Sequence, residues 1–142
     1  MTTSPVDLEA LSHLLVEFYE RLSSWEQEVA RDSGLSLPQM HTLEILGHHA
    51  PLRMKDLAER LGVTTGTMTV TVDKLERLGL VTRQPHGTDR RSLLVALTPE
   101  GERLYQEHHG HHLRLTQELT ADLTEAELAC LTQTLAKMRA VI

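Results

Sequence analysis

The stretch Leu57-Ala58-Glu59-Arg60-Leu61-Gly62-Val63-Thr64-Thr65-Gly66-Thr67-Met68 constrains what this chain can fold into more than any other. Leu57, Ala58 and Leu61 share one side of a short helix from Met54 to Leu61, and Gly62 is its stop signal. Thr64 or Thr65 caps the next helix, which runs to Leu78 before Gly79 closes it, with Met68, Val72 and Leu75 turned inward. The glycine corner lets the second helix cross the first, and Val63 fills the angle between them.

The second helix is unusual in composition. Thr64, Thr65, Thr67, Thr69 and Thr71 occupy five of eight consecutive positions, although threonine has a lower helix propensity than alanine or leucine. A capped surface helix with β-branched filler would account for them without function. Duplex DNA gives a better reason: hydroxyls reach phosphates and base edges, and threonine methyls fit the thymine methyl. In a helix-turn-helix the N-terminal residues of the second helix enter the major groove. The expected DNA-facing set is therefore Thr64, Thr65, Thr67, Thr69 and Val70, with Lys74 and Arg77 reaching the backbone.

Two β-prone runs follow, Leu80–Gln84 and Ser92–Leu97. Between them lies the turn Pro85-His86-Gly87-Thr88-Asp89-Arg90-Arg91, so they read as a hairpin with a basic tip at Arg90 and Arg91. Charge is distributed in the same sense. The chain carries a net −6, yet residues 53–91 hold eight Lys or Arg against five acids. A basic middle between acidic flanks suits a DNA-reading module on an acidic scaffold.

The flanks are helical. Leu8, Leu11, Leu14, Leu15, Phe18 and Leu22 give one apolar stripe from Val6 to about Arg31, which Asp32-Ser33-Gly34 ends. A helix over Leu37–His49 buries Met40, Leu43 and Leu46, and Pro51 breaks the chain after it. Thr98-Pro99-Glu100-Gly101 opens a long helix to about Ala121, with proline at its first position. The last helix starts near Leu123-Thr124 and spaces Leu128, Leu131, Leu135 and Met138 three or four apart. The expected fold class is mainly α with a small β-hairpin wing, a winged helix-turn-helix in the order α, α, α, α, β, β, α, α.

The run Leu57–Gly79, the wing with Asp89-Arg90-Arg91, and Leu97-Thr98-Pro99-Glu100-Gly101 together resemble the MarR family of bacterial regulators, over nearly the whole chain. The resemblance implies an intertwined homodimer on a palindromic operator, in which residues 1–35 and 98–142 supply the dimerisation helices and 36–97 the DNA-binding module of one domain, 1–142. It implies a transcriptional regulator, with repression the default. Long apolar stripes on the terminal helices agree with a dimer. Where family members often carry an acid and an arginine in the wing, this chain has His86, Gly87 and Thr88. Arg90 and Arg91 are left as the wing's candidate DNA contacts, one contacting DNA and the other bracing the wing through Asp89.

Nine histidines form the second signal. His108 and His112, one helical turn apart, have bidentate metal-ligand spacing and interrupt a stripe of Leu104, Leu115 and Leu119. The arrangement resembles the zinc-sensing branch of the MarR family, in which the second helix supplies one more histidine two residues after a glutamine. Here those residues are Gln39 and His41. The implied metal set is His41, His108 and His112, completed by Glu20, Glu26 or water, with zinc as effector. A small organic or acyl ligand in a histidine-lined cavity is the alternative, and a metal-buffering protein the alternative of another class. A buffer leaves the threonine-rich helix and the basic wing unexplained.

No phosphate-cradling glycine loop or nucleophile motif is present, so no enzyme is expected. Cys130, the one cysteine, lies among Leu128 and Leu131 with no basic neighbour in sequence and is read as structural. With no secretory signal and no apolar run long enough to span a membrane, the expected location is the cytoplasm.

Overall fold

The structure is a computed structural model and describes residues 5–88 and 92–142. It packs as two units, residues 1–106 and 107–142.

The first unit opens with α1 (Leu8–Asp32), whose start is set by Asp7: its carboxylate accepts from the backbone N–H groups of Glu9 and Ala10, both at 3.1 Å. Gly34 (φ 81°) turns the chain after it. In α2 (Leu37–His49) the Ser36 hydroxyl accepts from the Gln39 backbone N–H at 3.3 Å, while Gln39 Oε1 of the side-chain amide accepts from Ser36 N–H at 3.0 Å. This reciprocal cap satisfies two helix-end donors and gives Gln39 a structural task. Next come β1 (Leu52–Arg53), α3 (Met54–Leu61) and α4 (Thr65–Arg77), with Gly62 left-handed at the α3 terminus and Thr64 capping α4. β2 (Val81–Pro85) and β3 (Leu93–Leu97) then lead into α5 (Pro99–Thr120).

The expected pair of strands is in fact three. β1 joins the sheet in the order β1-β3-β2, pairing Leu52 with Val95 and Arg53 with Leu94. Two residues carry no readable periodicity, which is why β1 escapes a sequence pattern. Pro85 closes β2 opposite Leu93. It is tolerated because β2 is an edge strand and needs no outward N–H.

Leu43, Leu46, Leu57, Met68, Val72, Leu75 and Val95 make one core, each at most 1% exposed, with Met40, Ala58 and Val81 joining them. All three positions expected to be inward on α4 are among them. The α1 stripe is the opposite case: Leu8, Leu11, Leu14, Leu15 and Phe18 stay exposed, Leu8 at 72%.

The entry into α5 is fixed by a tight junction. The Thr98 hydroxyl donates to Gly79 C=O at 2.6 Å and accepts from Gly101 N–H at 3.1 Å, and Thr98 N–H donates to Leu80 C=O at 3.1 Å. A Cβ on Gly101 would collide with that same Leu80 carbonyl oxygen. The Leu-Thr-x-x-Gly sequence is thus the chemistry of locking a helix start onto the end of α4.

The second unit holds the rest of α5 and then α6 (Glu125–Arg139). Thr124 and Glu127 cap α6 reciprocally, at 3.2 Å in both directions. Leu131, Leu135 and Met138 are exposed along α6. Among the described residues no helix is long and apolar enough to cross a membrane.

The Leu80 carbonyl is backbone and cannot swing aside, so Gly101→Ala should cost about 2 kcal/mol or more of stability, the scale of a rigid steric overlap. Urea unfolding at equilibrium measures it; an unchanged midpoint would show that the junction gives way freely.

Candidate nucleic-acid interface

With Met68, Val72 and Leu75 consumed by the core, α4 turns its other face outward. Thr64, Thr65, Thr67, Thr69, Val70, Lys74 and Arg77 are all exposed, Val70 at 66%. An isolated apolar side chain on an otherwise polar face is ordinary; here it stands next to Thr69 on the outward face.

The hydroxyls of Thr64, Thr69 and Thr71 are already engaged within the helix. Thr64 Oγ1 accepts from Thr67 N–H at 3.2 Å as the helix cap. Thr69 donates to Thr65 C=O at 2.8 Å, and Thr71 donates to Thr67 C=O at 3.2 Å. These bonds back to the preceding turn hold the side chains in one rotamer each.

Arg83 on β2 is the residue that sequence reasoning did not single out. It donates to Glu76 Oε1 at 2.8 Å and forms an ion pair with Asp73, so it ties the wing strand to two successive turns of α4. Partial desolvation pulls its pKa down, but the hydrogen bond and charge of Asp73 and the charge of Glu76 outweigh this and leave it above its ordinary value. The sequence signal was there: two acids three apart on the helix, and a lone arginine mid-strand, ten residues from Asp73.

Between α3, α4 and the wing lies an open cleft of about 490 Å³, lined by Arg53, Lys55, Thr65, Thr69 and Arg83 together with Met54, Ser92 and Leu93. Arg53 is the N-cap position of α3 and makes no side-chain cap bond, so the first N–H groups of that helix have no side-chain acceptor there. Three cations, two threonines and a helix N-terminus around one groove make a surface suited to a phosphate backbone. Arg90 and Arg91, the expected wing contacts, and the Asp89 brace lie outside the described residues.

The expected metal-ligating residues fall in separate units. In the first, His41 on α2 has Nε2 3.7 Å from Glu26 Oε2 on α1, whereas Glu20 is exposed on that helix. In the second, His108 and His112 face each other on α5 with Nε2 atoms 3.1 Å apart and rings edge to face at 4.7 Å. His108 is 2% exposed.

Losing the Arg83 tie frees the wing strand from α4. Arg83→Ala should cost about 1 kcal/mol in urea unfolding, since the pair is only partly buried, and should speed proteolytic cleavage between β2 and β3. Cleavage at the wild-type rate would show that the wing is held by its ladder alone.

The MarR family model matches residues 35–93. Among curated proteins of Bacillus subtilis (strain 168), the HTH-type transcriptional regulator YfiV is 35% identical over 60% of this chain, a stretch that spans only 54% of YfiV. The HTH-type transcriptional regulator YwoH is 31% identical over 82% of this chain and 85% of its own length. The HTH-type transcriptional repressor MdtR is 29% identical over 77% and 67%. Among solved structures, Streptococcus pneumoniae FabT in complex with DNA superposes with a TM-score of 0.86 at 23% identity, covering 95% of this chain and 96% of that one, a likeness of fold. The S. aureus MepR–DNA complex gives 0.75 at 25% identity, over 92% and 97%. With the family model matching the helix-turn-helix and most of the wing, and YwoH matching most of both chains, the chain belongs to the MarR family.

Proposed function

We propose that the chain is a homodimeric transcriptional regulator that reads a palindromic operator with α4 in the major groove and the wing on the flanking backbone, and that it acts as a repressor. One observation carries the reading. The inner face of α4 is wholly consumed by the core, while its outer face presents Thr65, Thr69, Val70, Lys74 and Arg77 beside a groove lined by Arg53, Lys55 and Arg83. The MepR and FabT structures are of proteins bound to DNA, and MdtR is a repressor. The exposed leucines of α1, and separately those of α6, are apolar stripes that a second copy would cover.

Zinc is the proposed effector, with the His108–His112 pair as its anchor. Two nitrogens on a tetrahedral zinc at 2.0–2.1 Å stand about 3.3 Å apart, close to the 3.1 Å seen between the two Nε2 atoms. Imidazoles favour zinc over magnesium, and the ion would supply a charge and a fixed coordination that the two imidazoles alone lack. His41 enters through the family resemblance alone, and His41→Ala, run beside the two variants below, should weaken the zinc response if it is a ligand.

An operator is first selected from a random duplex pool with the full chain. Thr69→Ala should then weaken binding to it by on the order of 1 kcal/mol. Lys74→Ala should weaken binding evenly across sequences and lower the salt slope by about 1. Both variants should keep the wild-type melting temperature; unchanged affinity in both would remove α4 from the interface.

The same operator, titrated in chelator and then in zinc, addresses the effector. Zinc should shift the affinity, and His108→Ala and His112→Ala should abolish the shift. Zinc bound without any change in DNA affinity would make the pair a buffer. No zinc bound at all would turn the search to organic ligands.

A further inference from the structure

Gly66 is a glycine that the fold does not require. Gly62 and Gly79 are left-handed, with φ of 66° and 74°, and Gly101 meets the Leu80 carbonyl. Gly66 has neither reason. It is the second residue of α4, its φ is not positive, and it is exposed. Among the described residues an added Cβ would come within 4 Å only of Thr64 Oγ1, at 3.9 Å, an ordinary contact. Alanine would fit there and would favour the helix, because glycine has more backbone freedom to lose on folding. Thr65 and Thr67 beside it are weak helix formers too, so the first turn of α4 is poor where the fold leaves room for better.

What the glycine does provide is a gap on the outward face. Gly66, Thr69 and Val70 stand at i, i+3 and i+4 and share one side of the helix. Helical side chains lean toward the N-terminus, which brings those of Thr69 and Val70 toward the turn that Gly66 leaves bare. Thr69 is held by its hydrogen bond to Thr65 C=O, and Val70 is 66% exposed. The result is a notch at the leading end of α4, with a bare Cα for its floor. Two turns along the same face Asp73 is paired with Arg83, which offsets the one acidic charge on this side.

We propose that Gly66 sets the depth at which α4 enters the major groove: its bare Cα lets a base-pair edge come against the helix backbone, within reach of Thr65, Thr69 and Val70. This deepens the DNA-binding reading above and rests on it. A helix with its side chains is about 10–12 Å across and the major groove about 12 Å wide, so the helix fills the groove and one methyl group on its leading face lifts it. Lift separates short side chains from the bases first. Lys74 and Arg77, on long flexible stems, follow the phosphates. Specificity therefore falls before general affinity does.

The test is binding of Gly66→Ala and Gly66→Leu to the selected operator and to a scrambled duplex of equal length at the same salt. Both replacements are good helix formers, so each variant should melt at or above the wild-type temperature, alanine about 1–3 °C higher. Alanine should weaken operator binding at least about fivefold, the low end of what one added methyl costs in a packed site, and leucine further. Binding to the scrambled duplex, which runs on phosphate contacts, should stay at the wild-type level. A lowered melting temperature in the alanine variant would show that the fold itself needs the glycine and overturn the inference. Unchanged operator affinity would overturn it as well, and so would an equal loss on both duplexes, which would make Gly66 a phosphate-backbone contact. No duplex selected by the wild-type chain is instead the failure of the DNA-binding reading, and the inference falls with it.

Discussion

Everything on the outer surface of the first unit depends on how completely the inner surface of α4 is spent. Met68, Val72 and Leu75 are at most 1% exposed and leave that helix no freedom to roll. Rotation by one residue position would turn a hydrophobic side chain to water at a cost of roughly 2 kcal/mol. The helix is thereby clamped at a fixed azimuth, and the polar residues on its far side are aimed rather than merely exposed. Gly62 and Gly79 bracket the clamp, one turning the chain in and the other leading it out toward β2.

The wing is aimed by a different kind of force. Its strands are short, and β2 is an edge, so the ladder alone would leave the hairpin free to twist. Arg83 reaches from β2 to Asp73 and Glu76, and β1 closes the other side of β3. The Thr98 junction then anchors the strand that leaves the wing. Apolar burial orients the helix and polar contacts orient the hairpin, so their relative placement is sensitive to charge on one side only.

Local signals explain how much of this was legible in the residues. α2 and α3 have the bounds their spacing indicates, because capping and glycine stops are written in neighbouring residues: Ser36 with Gln39, Thr64 with Thr67, Gly62 after Leu61. β1 was not legible, since two residues have no period and Leu52 acquires its role only from Val95, more than forty positions away. Arg83 left a signal in Asp73 and Glu76, but only the fold brings those acids, on another element, within its reach. The outward set on α4 could be named because amphipathicity divides a helix unambiguously.

The hydrogen bonds inside α4 also bear on what the helix could discriminate. Thr69 and Thr71 have given their protons to carbonyls one turn back. What they offer outward is a pair of lone pairs and a methyl group. In a major groove such a surface is blind to the acceptor edge of guanine and answers to the amino groups of adenine and cytosine and to the methyl of thymine. With exposed Val70 beside them, the outward face of this helix is made of lone pairs and methyl groups, a character set by where those two protons went.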